Sequence, residues 1–299
     1  MLSASSSTRP ILYSALSSSR RPFSTILNPE PASSPTSDGK KPLFGTVPSH
    51  RSYIFLHASE PPTAFPARVS TPLQRALQLQ VTKWGGMVNF SWFGPEHHSQ
   101  TGNGTGVTAF SSLGGRLEIP ELTLENVDAV AETLRRHASE GPGITAEEEP
   151  EVHLYVCTHG ARDCRCGDVG GAVVRALREE VARRVEADSG GKASRVRVGE
   201  VAHGGANCGI HRHAANLLVY PHGDWLGLLK PEDVPSVLTS ILEYSIRPFG
   251  AQDKPIVPRH WRGRMGLSKD EQVELFESQS AADSDEVHIR PSIQRRLGS

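Results

Sequence analysis

The chain has 299 residues, 37% of them hydrophobic, and a formal net charge of −1. This length suits one large or two ordinary domains, and the balanced charge gives no basic field for binding nucleic acid. No apolar run reaches the roughly 18 residues that a membrane span needs, and four cysteines grouped in motifs argue against a secreted disulfide framework.

Residues 1–49 predict a mitochondrial leader followed by a linker. Residues 1–29 contain nine serines, three arginines and neither Asp nor Glu, which is typical of a mitochondrial transit peptide with processing near Ser24. A plain disordered tail is the alternative interpretation. Residues 28–50 continue as a Pro/Ser linker that cannot bury a core. We therefore expect the mature protein in the mitochondrial matrix or intermembrane space.

Residues 50–145 predict a small α/β domain. Its expected elements are a strand over 53–57, a helix over 71–84, a strand over 87–92, a loop over 94–107 and a helix over 125–137. Gly85-Gly86 provides the end that the first helix needs. The Gly-Pro-Gly and acidic residues over 141–150 mark a boundary.

Residues 150–250 predict a second α/β domain with the element order β-α-β-β-β-α. We expect strands over 152–156, 195–201, 217–220 and 225–229, and helices over 170–187 and 231–244. Residues 251–299 are expected to form an extension, basic over 255–265 and disordered after Glu277. No internal sequence repeat is visible, although both halves begin strand, helix, strand.

All four cysteines lie in two short segments. The first runs from Cys157 to Gly167 and the second from His203 to Asn216. Here the cysteines sit among Gly, Asp, Arg and His, which is the composition of loops rather than of a core. Soft thiolates and imidazoles at two loops indicate a zinc site or an iron–sulfur site.

The two cysteine-containing segments could come together if the strands before them are neighbours in a sheet. Each segment directly follows a predicted strand. If the two strands are neighbours in one sheet, their C-terminal ends lie side by side, and the two loops can share one metal centre. Gly160, Gly167, Gly204 and Gly205 would allow the backbones to approach closely.

The residues alone leave four interpretations open. One is a [2Fe–2S] cluster held by two cysteines and two histidines, and another is structural zinc, although the spacings do not match those of zinc fingers. A third is a redox dithiol, Cys164-Arg-Cys166, in which the neighbouring Arg162 and Arg165 would favour the thiolate form. The fourth is that the cysteines and histidines bind nothing.

The motifs resemble those of the sucrase/ferredoxin-like family, and of its fungal mitochondrial branch in particular. The resemblance starts with Cys-Thr-His-Gly-x-Arg-Asp-x-Arg-Cys-Gly at Cys157 and the His-Gly-Gly…His segment followed by Ala-x-Asn. It continues through 52–57, 74–78, 83–86, 89–92, 220–227 and 261–268. Members of this family are thioredoxin-like [2Fe–2S] proteins. The resemblance thus implies a thioredoxin-like ferredoxin domain, preceded by the smaller α/β domain and a disordered leader.

The resemblance also implies a ligand set for a [2Fe–2S] cluster. Cys157 and Cys166 would supply the thiolates, and His203 would be the first imidazole. The family pattern, His-x-Gly-Gly-His-x-x-Ala-x-Asn, places its histidines four residues apart. Aligning the Ala-x-Asn motif makes His211 the second imidazole, eight residues after His203, with His213 pointing away. Within this longer loop Cys208 is an alternative ligand.

These ligands favour a protein that transfers or senses single electrons over a substrate-converting enzyme. Neutral imidazoles in place of thiolates raise the reduction potential of a cluster, which suits exchange with a redox partner protein. A thiol–disulfide oxidoreductase using Cys164 and Cys166, or a zinc-stabilised interaction module, are the alternatives. The sequence has no Gly-x-Ser-x-Gly, P-loop or His-Glu-x-x-His motif that would indicate hydrolysis.

Overall fold

The computed structural model describes residues 42–95, 104–140, 150–203 and 215–289, with side chains up to residue 279. The predictions of a transit peptide and of processing near Ser24 fall outside these residues.

The first half contains four strands and two helices. They are β1 (Ser52–His57), α1 (Pro72–Val81), β2 (Gly86–Trp92), β3 (Thr105–Ser111), β4 (Gly115–Leu122) and α2 (Val127–Glu140). The side chain of Thr71 caps α1 by accepting a hydrogen bond from the Gln74 amide at 3.1 Å. Gly85, at a φ of 91°, closes the turn that follows α1, so this helix and the strands around it are confirmed.

The hairpin of β3 and β4 is absent from the sequence prediction. The predicted loop over 94–107 is wrong from Thr105 onward, where β3 begins. Every residue of β3 after Thr105 is buried, on both faces of the strand. The alternation of polar and apolar residues that reveals a half-buried strand is therefore missing.

The second half has the predicted order of elements. It comprises β5 (Val152–Cys157), α3 (Gly171–Ala187), β6 (Val196–Val201), β7 (Leu217–Tyr220), β8 (Asp224–Leu226) and α4 (Val234–Glu243), and two further elements, β9 (Trp261–Arg264) and α5 (Lys269–Ile289), follow. Strand β8 ends earlier than predicted, and Leu228 just beyond it has a φ of 58°.

Helix α5 contradicts the prediction that the chain is disordered after Glu277, because it continues to Ile289. Ser268 and Glu271 form a capping box at its start: the Ser268 amide donates to the Glu271 carboxylate at 2.7 Å, and the Glu271 amide donates to Ser268 Oγ at 3.3 Å. Phe276 on this helix stacks on Phe44, with ring centroids 4.2 Å apart. This contact fixes α5 against the segment that precedes β1.

All nine strands form one sheet in the order β4-β3-β1-β2-β6-β5-β7-β8-β9. In each half the first two strands are parallel and the third is antiparallel to the first. Both halves therefore share the thioredoxin-like strand order 4-3-1-2, and they meet where β2 pairs antiparallel with β6. The described part of the chain therefore contains an internal repeat of strand topology.

The sheet folds over at the junction of β2 and β6, where only two residue pairs form the ladder, Ser91 with Val201 and Trp92 with Glu200. Across the fold, Phe55 of β1 stacks on Tyr155 of β5 with ring centroids 4.0 Å apart, and Phe110 of β3 stacks on Tyr220 of β7 at 4.6 Å. Strands from opposite halves thus pack face to face through an aromatic layer.

The outer faces of the folded sheet are covered by helices. Helices α1 and α2 pack on the first half through Leu77, Val81 and Leu134, and α3 and α4 pack on the second half through Leu177 and Leu238. In the part of the chain with described structure, no helix is both long and apolar enough to cross a membrane.

The predicted boundary between the domains, at 145–150, lies between α2 and β5. The strands on its two sides are continuous in one sheet. The division into domains over 50–145 and 150–250 therefore stays a prediction.

Candidate metal centre

Two neighbouring strand ends bring the candidate ligands together. Strands β5 and β6 are parallel, and Cys157 at the end of β5 pairs in register with Val201 at the end of β6. His203 lies two residues beyond that end. The prediction that the two strands are neighbours, with their C-terminal ends side by side, is confirmed.

A π-helical turn over Cys166–Gly170 returns the first loop to the end of β5. Such turns are rare and occur often at functional sites. A Cβ at Gly170 would collide with the carbonyl oxygen of Cys157, and a Cβ at Gly167 would lie 2.9 Å from the Cα of Gly160. Glycine at these positions lets the turn press directly against the strand end.

Two thiols and one imidazole converge at this place. The Sγ atoms of Cys157 and Cys166 each lie 3.8 Å from Nδ1 of His203, and all three donor atoms lie within 4.8 Å of one another. The two cysteines are 5% and 1% exposed, respectively, whereas His203 is half-buried. The centre therefore has a dry sulfur side and a more open imidazole side.

The surroundings of Cys166 favour its thiolate. Its pKa falls from 9.0 to about 5, first because of the hydrogen bond with the Cys157 thiol and then because of that with His203. The backbone of Ala215 adds a further hydrogen bond, while burial acts in the opposite direction. A thiol with this pKa is ionised at neutral pH, and the thiolate is the form that binds a metal.

His159 connects three segments around the centre. Its Nε2 donates to the carbonyl oxygen of Pro66 at 3.0 Å, and its Nδ1 accepts the backbone N–H of His203 at 3.3 Å. The ring is 1% exposed, and burial is the main reason why its pKa is lowered. A neutral His159 therefore holds the backbone of His203 in place.

Asn216 and Arg262 support the other side of the centre. The carbonyl oxygen of Asn216 accepts the Cys157 amide at 3.1 Å, and its Oδ1 accepts a hydrogen bond from the fully buried Arg262 at 2.8 Å. Arg262 also donates to Thr46 Oγ1 at 3.0 Å. Sequence reasoning found both residues only as parts of motifs, because nothing in their types shows that they buttress a cysteine.

Of the remaining cysteines and histidines that the sequence suggested, one is described and lies apart from the centre, and three are not described. Cys164 is exposed and does not belong to the converging group. Arg165 beside it forms a bidentate pair with Asp163, with contacts of 3.0 and 2.8 Å. The predicted ligand His211, the alternative ligand Cys208 and the nearby His213 lie outside the described residues.

The donor set fits a soft metal. Around a single tetrahedral zinc, Zn–S and Zn–N bonds of about 2.3 and 2.1 Å give donor separations of about 3.6 Å, close to those found here. Buried thiolates beside an imidazole equally suit an iron–sulfur group. The three described donors are compatible with either, and each would require a further ligand from outside this group.

Comparisons with known proteins identify similar sequences. A family model described as sucrase/ferredoxin-like matches residues 43–263, which include both strand ends. A curated relative, altered inheritance of mitochondria protein 32 of Meyerozyma guilliermondii, is 28% identical over 96 residues, covering 31% of this chain and 30% of that protein. The chain therefore aligns with less than a third of that relative's length. No solved structure matches this chain significantly. The extent of the family match shows that this chain belongs to the sucrase/ferredoxin-like family.

Proposed function

We propose that this protein is a [2Fe–2S] protein that transfers or senses single electrons. The observation that carries the proposal is the convergence of two buried thiols and an imidazole at adjacent strand ends, in a chain of a ferredoxin-like family. Cys157, Cys166 and His203 would be three ligands, and His211 is proposed as the fourth. When bound, such a cluster supplies reversible one-electron chemistry.

The chain's own residues would prepare the site in three ways. The lowered pKa of Cys166 provides a thiolate at neutral pH. The burial of both cysteines keeps water from the sulfur side. His159 fixes the backbone of His203, whose half-buried ring leaves the imidazole side accessible to a redox partner protein.

A mitochondrial location is part of the proposal. It is supported by the Arg- and Ser-rich, acid-free composition of residues 1–29 and by the name of the Meyerozyma relative. Imaging of a fluorescent fusion with and without residues 1–29 tests it. We expect mitochondrial import of the full chain only, and unchanged import of the truncated chain would contradict a leader at this end.

Thiol–disulfide exchange is the second candidate function. The exposed Cys164 lies two residues before Cys166, whose pKa of about 5 would make it a reactive thiolate. Exchange of a disulfide moves two electrons, so it can be distinguished from the reaction of a cluster. A zinc-stabilised interaction module, which the 3.8 Å donor separations also allow, would take up no electrons.

An anaerobic reductive titration separates these candidates. For the cluster we expect reversible uptake of one electron per loaded chain, accompanied by bleaching of a visible band, both in the native chain and in Cys164→Ser. Uptake of two electrons that is lost in Cys164→Ser would support thiol exchange instead. A colourless protein that takes up no electrons would support zinc.

A further inference from the structure

A cavity of about 360 Å³ opens beside the imidazole side of the metal centre. We call it the arginine cavity; its lining includes Arg68, Val88, Phe90, His159, Arg162 and His203. Its volume lies in the range of small-molecule sites, about 300–1,000 Å³. The cavity therefore has room for a small ligand directly against the proposed ligand His203.

The charge of this cavity is one-sided. Arg68 and Arg162 are its charged lining residues, and no carboxylate lines it among the described residues. Among the described residues, the guanidinium groups of Arg68 and Arg162 form neither ion pairs nor side-chain hydrogen bonds. Asp163, the neighbour of Arg162, is held by Arg165 at 2.8 Å. A concave site lined by charge of one sign concentrates ions of the opposite sign.

Several other walls of the cavity are apolar or already engaged in hydrogen bonds. Val88 and Phe90 offer an apolar surface on β2. The Nδ2 of Asn89 donates to the Tyr53 hydroxyl at 3.1 Å and to the carbonyl oxygen of Ala202 at 2.9 Å. His159 uses both of its ring nitrogens. The two arginines are thus the charged groups that remain available to orient a ligand, and the polar side chains of Gln74 and His203 also line the cavity.

The corresponding edge of the first half provides a contrast. A cavity of about 500 Å³ there is lined by His57 and Phe93, which occupy the positions of Cys157 and His203 in the repeat. Its lining carries Glu118 and Glu151 as well as Arg178 and Arg197, so both signs of charge are present. Of these two cavities, only the one at the metal centre has an excess of positive charge in its lining.

We propose that the arginine cavity binds a small organic anion, such as an aromatic carboxylate. Its anionic group would lie between Arg68 and Arg162, and its apolar part would lie against Val88 and Phe90. The inference deepens the proposed function, on which it rests for the ligand's role: a bound anion would contact the imidazole side of the redox centre. Binding itself requires only the geometry and charge of the cavity.

Calorimetric titration of the full-length protein with benzoate tests this proposal, with the neutral isostere benzamide as the comparison. We expect saturable benzoate binding that is at least tenfold tighter than that of benzamide. Arg68→Gln and Arg162→Gln should each weaken benzoate binding at least fivefold. Arg75→Gln, which removes an exposed arginine that does not line the cavity, should leave it unchanged.

Equal binding of benzoate and benzamide, or equal weakening by all three substitutions, would overturn the proposal. So would binding of polyglutamate without any binding of benzoate, because that result indicates an acidic protein surface instead. The absorption spectrum of the same samples keeps the two proposals apart. If the protein is coloured but does not bind benzoate, the anion site is refuted and the cluster is not. If the protein is colourless but binds benzoate, the cluster is refuted and the anion site is not.

Discussion

At the scale of single residues, His159 is the side chain whose removal should disturb the centre without removing a ligand. His159→Phe would leave the backbone N–H of His203 without its acceptor, at a cost of about 1–3 kcal/mol where that group stays buried. We expect a severalfold loss of bound iron per chain, measured after anaerobic purification, in a protein that still unfolds cooperatively.

Two comparisons make this prediction specific. His159→Asn keeps an acceptor near the position of Nδ1 and should retain more iron than His159→Phe. His57→Phe changes a histidine at the corresponding strand end of the first half and should retain iron fully. Equal iron in all three variants would show that His159 does not position His203.

The cysteines give a second prediction at this scale. Cys157→Ser and Cys166→Ser should each abolish the visible chromophore, because serine is a poor substitute for a soft thiolate. Cys164→Ser should keep the chromophore, since Cys164 is exposed and outside the converging group. Loss of iron in Cys164→Ser as complete as in Cys157→Ser would refute the proposed ligand set.

The sequence predicted the converging residues because each lies in a motif directly after a strand. Cys157, Cys166 and His203 could be placed together once β5 and β6 were assumed to be neighbours. Asn216 and Arg262 could not be given their roles in this way. Their hydrogen bond joins positions 46 residues apart in sequence, and it exists only because the loop before β7 and strand β9 meet in space.

At the scale of elements, the contact between the π-helical turn and β5 yields a prediction with an adjacent control. Gly170→Ala would force the turn away from the Cys157 carbonyl, and overpacking of this kind costs about 1–3 kcal/mol. Gly171→Ala lies one residue further, where the added methyl group meets only the end of the Arg175 side chain at 3.6 Å.

Chemical denaturation and iron analysis of both variants measure the effect. Gly170→Ala should lower the free energy of unfolding and the iron content. Gly171→Ala should be neutral or stabilising by up to about 1 kcal/mol, because alanine has the higher helix propensity. If the two variants behave alike, the close contact at Gly170 is not what shapes the loop.

Glu151 joins strands from both halves and makes stability depend on pH. It accepts hydrogen bonds from Arg116 of β4 at 2.6 Å and from Arg197 of β6 at 2.8 Å. Its pKa falls from 4.5 to about 2, chiefly through the hydrogen bond with His153 and then through that with Arg197. Because the folded pKa is depressed, this stabilisation is fully present above about pH 4.5 and is lost as the pH falls towards 2.

We therefore expect Glu151→Gln to lower the free energy of unfolding at pH 7 by about 1–2 kcal/mol, less than the shift of its pKa alone would give, because solvent screens these partly exposed ion pairs. Urea denaturation of both proteins should show this difference shrinking between pH 5 and pH 2. The exposed Glu132, which pairs with Arg135, is the control, and Glu132→Gln should have a much smaller effect. A difference for Glu151→Gln that does not vary with pH would contradict the assignment.

There are physical reasons why the sequence did not predict β3 and α5. Strand β3 is buried on both faces, which removes the alternating pattern. Helix α5 carried a readable signal, the capping box of Ser268 and Glu271, but its composition is polar and its stacking partner Phe44 is far away in sequence. The helices with a clear apolar face, α2 and α4, were predicted close to their observed bounds.

At the scale of the whole molecule, the two halves share one strand topology, but the candidate metal ligands are present in the second half only among the described residues. His57 and Phe93 occupy the positions that Cys157 and His203 hold in the second half. The sequence showed only that both halves begin strand, helix, strand, because a repeat of backbone topology does not require a repeat of side chains. The folding of the sheet onto itself depends on contacts such as that between Phe55 and Tyr155, which no local pattern predicts.

The central claim is that the converging thiolates and imidazole hold a [2Fe–2S] cluster. Metal and sulfide analysis of the anaerobically purified protein, combined with its visible absorption spectrum, tests this most directly. The account predicts a reddish-brown protein that contains iron and acid-labile sulfide in equal amounts. A colourless protein that contains zinc and no sulfide would contradict it.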